Sequence, residues 1–181
     1  MFLKALNNKK ATNKKDAYEG IGLCYEKGYG VGKDHKNAIE FYSKIPYPYD
    51  SLRNIRIARV YYDLLKDYKN AYKYAKEALK VGKEFDKYGE IGCFLGMLYY
   101  HGCGVEQDYD KAFEYFKSGF QKSMNMGFNE VIPELNYYIG LCFVNGHGAT
   151  KDIEKGKKYL IKAEGKGYMP AVAALLQLRG R

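Results

Sequence analysis

The chain has 181 residues, is 46% hydrophobic and carries a formal charge of +9. That length points to one domain, and the apolar content is enough for a continuous core. No run of eighteen apolar residues is present, so no transmembrane helix is expected. The opening Met1-Phe2-Leu3-Lys4-Ala5-Leu6 is too short in apolar length for a signal peptide. A charge of +9 raises nucleic acid or an anionic membrane as partners. Only five of the 30 basic residues are Arg, however, and the Lys residues are spread through most of the predicted helices. Specific nucleic-acid readers lean on clustered Arg, so a Lys-rich solvated surface is the reading adopted and nucleic acid is not the expected partner.

In chain order, residues 1–15 begin with Phe2, Leu3 and Leu6 and then turn polar. The run Phe2-Leu3-Lys4-Ala5 matches the end of a later helix, Tyr159-Leu160-Ile161-Lys162-Ala163. It reads as a broken repeat or a short capping helix. Periodicity and turn residues predict helices over 16–27, 35–45, 51–65, 68–81, 87–101, 109–123, 131–145 and 152–165. Ile45-Pro46-Tyr47-Pro48 is an extended link, because proline disfavours helix in the residue before it. The stretch from Gln121 to Glu134 holds Met124, Met126 and Phe128 and is longer than the other links. It is expected to cover an edge or to contact a partner. Pro170 to Leu178 forms a last helix, either a terminal cap or the cut end of a longer array.

The helices fall into repeating pairs. A first helix carries an early Gly (Gly22, Gly96, Gly140), then an aromatic residue three positions on (Tyr25, Tyr99, Phe143). A small residue of the second helix (Ala38, Ala112, Gly156) stands sixteen positions after that Gly in all three. A degenerate copy has Ala58, Tyr61 and Ala71, with thirteen positions from Ala58 to Ala71. Gly inside a helix costs about 1 kcal/mol against Ala, so its recurrence at one phase predicts close helix crossing. The Gly-x-Gly that follows suits the left-handed end of a helix. Val31 and Val105 are expected to tuck under that loop, and Asp34, Asp108 and Asp152 to cap the second helix. One such hairpin cannot bury both its faces, so neighbours must stack.

The unbroken run Leu95-Gly96-Met97-Leu98-Tyr99-Tyr100-His101-Gly102-Cys103-Gly104-Val105, with Asp108, Lys111, Ala112 and Tyr115 after it, resembles the Sel-1-like repeat, a relative of the tetratricopeptide repeat. The second unit, having lost the Gly-x-Gly-Val loop, is similar to a plain tetratricopeptide hairpin. The resemblance implies an all-α, right-handed α/α superhelix, a solenoid in one domain spanning 1–181. Its units would be about 16–45, 51–82, 87–123 and 131–166, with a capping helix at 170–179. It also implies an adaptor without catalysis of its own, whose partner is another protein or a peptide.

The chain carries four Cys. Cys93 and Cys103 are ten positions apart on a helix and its loop, on the order of 15 Å, too far for a disulfide. Cys24 and Cys142 hold one phase of two different units. No bridge is expected, which fits a reducing, cytoplasmic setting and departs from the cysteine-rich secreted branch of the family. Cys24, Cys93 and Cys142 are expected in the core and Cys103 at the surface. Gly28-x-Gly30 and Gly102-x-Gly104 follow helices and lack the Lys-Ser/Thr of a phosphate loop. His101 with Cys103 is two ligands where a structural zinc takes four. No catalytic set, metal or cofactor is expected. The enzyme alternative is the β-lactam binding or hydrolysis of the cysteine-rich relatives, which the lack of paired Cys and of a nucleophile motif disfavours. A charge-driven binder of an anionic polymer is the other alternative.

What remains is surface. In such solenoids the resemblance implies that first helices line the concave face, whose stripe runs i, i+4, i+7. That stripe is Glu19, Leu23 and Glu26, then Ile55, Arg59 and Tyr62, then Cys93, Met97 and Tyr100, then Tyr137, Leu141 and Val144. Tyr, Met and Arg are the residues enriched in protein interfaces. Arg53, Arg56 and Arg59 share one helix and are candidates for a carboxylate or phosphate, with two of the three expected to be solvated.

Overall fold

Short-range decisions set each hairpin. Asp34, Asp67, Asp108 and Asp152 accept the backbone N–H of Asn37, Asn70, Lys111 and Lys155 at 2.9–3.1 Å. Each carboxylate thereby satisfies a free donor of a first helical turn and sits at the positive end of its dipole. The degenerate second unit thus keeps the cap, in Asp67, which the repeat pattern did not single out. First helices end on Gly28, Gly102 and Gly146, with φ of 79°, 68° and 76°. In the second unit Lys66 takes that left-handed position, with φ of 54°.

The computed structural model describes residues 14–81, 89–125 and 132–180. Those residues form α1 (Lys14–Lys27), α2 (His35–Ser43), α3 (Asp50–Val60), α4 (Tyr68–Val81), α5 (Glu90–His101), α6 (Tyr109–Asn125), α7 (Pro133–Asn145), α8 (Ile153–Glu164) and α9 (Met169–Arg179). The chain is an all-α helical repeat of the solenoid class, as expected. The single helix expected over 51–65 changes character at its end. After Val60 it widens into a π-helical turn, Tyr61–Leu65, closed by the N–H of Lys66 on the Tyr61 carbonyl. Val31 is not tucked under its loop but stands 41% exposed. The expectations for Phe2–Ala5, Met126 and Phe128 lie outside the described residues, while Met124, in the last turn of α6, is half exposed.

The helices group into two compact units, Met1–Phe85 and Asp86–Arg181. In the first, α1 packs on α2, α2 on α3 and α3 on α4. In the second the succession runs from α5 through α9, and α5 also touches α7.

The early glycines make room for a side chain. A Cβ on Gly22 would lie 2.5 Å from the Tyr42 ring, one on Gly140 would lie 2.9 Å from Leu160, and one on Gly96 would overlap the Phe116 ring. Tyr42, Phe116 and Leu160 are completely buried, each contributing about 1.5–3 kcal/mol. The degenerate unit changes both partners together, with Ala58 for the Gly and Ala75 for the ring, both fully buried. Both hairpins of the second compact unit also bring backbones together, and a Cβ on Gly92 would meet the Tyr115 carbonyl at 2.9 Å. A Cβ on Gly140 or Gly156 would meet the other's carbonyl at 3.1 or 2.8 Å.

The aromatic three positions later stacks on a ring of the second helix in all four hairpins. Tyr25–Phe41, Tyr61–Tyr74, Tyr99–Tyr115 and Phe143–Tyr159 have centroids 5.5–5.9 Å apart and planes within 13–16°. Such a pair adds about 0.5–1.5 kcal/mol beyond burial. Lysines cover these stacks: Lys44 over Phe41 at 4.6 Å, Lys155 over Phe143 at 4.2 Å and Lys111 over Tyr99 at 5.7 Å.

Candidate interaction surface

In the first unit, two carboxylates of the expected stripe are engaged inside the fold. Glu19 of α1 takes two hydrogen bonds from the Arg56 guanidinium of α3, at 2.9 and 3.1 Å. Glu26 accepts the Tyr42 hydroxyl at 2.7 Å and pairs with Lys27 at 2.6 Å. Burial, then that bond to Glu26, raises the Tyr42 phenol far above its usual range and keeps it a donor. Between these two Glu on the same face stands Leu23, 40% exposed. Ile55 is buried in the core at 2% exposure. Arg59 and Tyr62 are half-buried, and Tyr62 leans on Tyr68 with centroids 5.2 Å apart. Arg53 pairs with Asp50 at 2.5 Å and also donates to the Ile45 carbonyl at 3.3 Å. Arg53 and Arg56 therefore hold the unit together and do not stand free in solvent.

In the second unit, Cys93, Tyr100 and Val144 are buried, at 5%, 8% and 8%. Met97, Tyr137 and Leu141 are half-buried. Tyr137, Leu141 and Val144 face the terminal helix. They pack in one cluster with Ala171 and Leu175 of α9, and the Tyr137 ring meets Tyr168 at 5.2 Å.

Tyr100 is the hub of an aromatic network that spacing did not reveal. Its ring meets Tyr109, Tyr138 and His147 edge-on or tilted at 5.2–5.6 Å. The His147 ring lies flat on Tyr109 at 3.8 Å, and its Nδ1 is 3.0 Å from the Tyr100 hydroxyl. His101 Nε2 is 3.1 Å from the Tyr138 hydroxyl. Burial pushes the Tyr100 phenol up to about 12 and holds His101 below its usual value. The signal in the sequence was two His in equivalent Gly-x-Gly turns, but their Tyr partners are 37 and 47 positions away.

The end of α7, the 146–148 turn, the first turn of α8 and Leu178 near the end of α9 enclose a cleft of about 680 Å³. Val144, Ile153 and Leu178 line it with apolar side chains, and Asn145, His147, Lys151, Glu154 and Lys157 with polar ones.

All four cysteines are free thiols. Cys93 and Cys142 are buried as expected. Cys24 is only half-buried, and Cys103 is partly covered rather than open. Burial pushes the Cys142 thiol up to about 12, which leaves it unreactive near neutral pH. Among the described residues no group of three or more His, Cys, Asp or Glu is placed to hold a metal ion. No helix of these residues is long and apolar enough to cross a membrane.

No curated protein matches the chain in sequence. The profile of the Sel1 repeat matches residues 15–45, 93–122 and 133–168, three of the four hairpins. Among solved structures the chain is similar to a Sel1 repeat protein from Oxalobacter formigenes, with a TM-score of 0.70 and 25% identity over 96% of this chain and 66% of that one. It is also similar to c5321, a protective antigen of uropathogenic Escherichia coli strains displaying an SLR fold. That match has a TM-score of 0.70 and 19% identity over 94% of this chain and 34% of that one. The chain thus spans just under two-thirds of the first structure and about a third of the second. The same Gly, aromatic and Asp phases that build the hairpins carry the profile match, and the chain belongs to the Sel1 repeat family, whose helical repeats serve as scaffolds for protein interaction.

Proposed function

We propose that this protein is an adaptor that binds a protein or peptide through the exposed parts of its first helices and carries out no chemistry itself. The observation that supports this most directly is on α1. Leu23 is held 40% open to solvent while Glu19 and Glu26, on the same face, are tied to Arg56 and Tyr42. An apolar side chain fixed open on a rigid helix is a preorganised contact point, and preorganisation lowers the entropy cost of binding. Tyr62 and Arg59 in the first unit, and Met97 in the second, are the further residues assigned to binding. Ile55, Tyr100, Tyr137, Leu141 and Val144 then act by supporting these faces from within.

The test is affinity capture from a lysate of the source cell. Wild type is compared with a Leu23→Ala/Arg59→Ala/Tyr62→Ala variant, each checked by circular dichroism. A protein kept by wild type and lost by a still-helical variant supports the reading. Equal retention by both overturns it. The charge-driven reading demands affinity that falls steeply with salt. Lysines placed over the aromatic stacks already have a structural use, so retention unchanged at high salt is the expected result.

A further inference from the structure

We propose that the cleft between the α7–α8 turn and the end of α9 is a binding site for the C-terminus of a peptide, taking the free carboxylate at its basic side chains and an apolar last side chain at its apolar ones. This rests on the chain being a protein-binding scaffold, but not on the first-helix faces.

The argument starts from a fixed histidine. Tyr100 is buried, and its hydroxyl lies 3.0 Å from His147 Nδ1. Its ring is clamped flat on Tyr109. The turn cannot drift away, because the backbone of Gly148 lies directly against the Tyr109 carbonyl, with no space for a side chain. A rigidly held imidazole is thus part of the cleft wall.

Two ammonium groups join it. Lys151 makes no ion pair among the described residues, and Lys157 is paired only with Glu154, at 2.9 Å. That Glu side chain is 78% exposed, and an exposed pair of this kind is weak and easily exchanged. Glu154 lines the cleft as well, so an incoming carboxylate takes its place on Lys157, with the Lys151 ammonium beside it. Val144, Ile153 and Leu178 line the same cleft, and Ile153 is 42% exposed. At about 680 Å³ the cleft has the size of small-ligand sites. A carboxylate joined directly to an apolar side chain is what a peptide ending in leucine presents.

The experiment is an NMR titration of the full chain with a hexapeptide ending in leucine. Its arms are the same peptide as a C-terminal amide, a peptide ending in lysine, and octanoate. The free-acid leucine peptide is expected to shift the His147 ring and Leu178 methyl resonances and to saturate. The amide and the lysine peptide should bind at least tenfold more weakly. Lys151→Ala/Lys157→Ala should lose at least tenfold in affinity with unchanged helicity. Leu176→Ala, exposed elsewhere on α9, and Leu23→Ala/Tyr62→Ala should bind as wild type does. That last variant separates this site from the first-helix faces. Equal binding of acid and amide, shifts remote from the cleft, or an unaffected double-lysine variant would overturn the proposal. Binding of octanoate without any binding of the peptide would also overturn it.

Discussion

Gly96 shows most clearly how one residue is tied to its partner. A methyl group there would overlap the Phe116 ring, and Phe116 is fully buried and has nowhere to retreat. Gly96→Ala should destabilise the protein by about 1–3 kcal/mol, the usual cost of overpacking, although Ala is the better helix former. Urea unfolding reads the loss. The second unit avoids the clash by carrying the small residues Ala58 and Ala75 at the two positions. Gly96→Ala should therefore cost much less in a Phe116→Ala background than in wild type. Additive losses in that double-mutant cycle would mean that the glycine is there for another reason.

The second helices are governed by their caps, and the caps by pH. Asp34 and Asp67 are held below the usual carboxylate range, first by the backbone N–H of the residue three on, and then by the Asn side chain there. At Asp108 the Lys111 side chain comes first and its backbone N–H second. A lowered folded pKa means stability that is present above the unfolded value of about 4 and lost as pH falls through the folded one. The His101 ring packs on Tyr138 of α7, and partial desolvation there disfavours its charged form. Its pKa is below about 6.5 in the folded state, so the unfolded chain takes up the proton first. Stability should thus fall in two stages on acidification, one beginning near pH 6.5 and one below about pH 4. His101→Gln should remove part of the first stage, and Asp108→Asn part of the second. Denaturant midpoints measured across pH would show both limbs, and a flat profile down to pH 5 in wild type would exclude the histidine contribution.

At the scale of the molecule, each compact unit has a core of its own. In the first, Ala38, Tyr42, Ile45, Ile57 and Val60 pack together. In the second, Val144, Leu160, Ala163, Ala171 and Leu175 do so. Repeat stability is a sum of local and nearest-neighbour terms, so a fragment spanning 86–181 should fold by itself. Expressed alone, it should have a helical circular dichroism spectrum and unfold cooperatively with heat. A non-cooperative melt would show that the unit depends on the rest of the chain.

Hairpins, caps and glycine positions were legible in the sequence because each depends on residues less than one hairpin apart. Asp34 with Asn37, Gly22 with Tyr42 and Tyr25 with Phe41 are all set by the geometry of one helix, turn and helix. The surface was much less legible. Spacing of i, i+4, i+7 says that Tyr137, Leu141 and Val144 share a face, but not that α9 covers it. It marks Glu19 and Glu26 as a stripe, but not that Arg56 and Tyr42 bind them from other helices. Nor could it bring His147 to Tyr100 across 47 positions and leave a cleft beside them. The sequence by itself determined the repeat, since that is short-range sterics and capping. Only the tertiary structure decided which side chains stay open to a partner, because exposure depends on what packs from elsewhere in the chain.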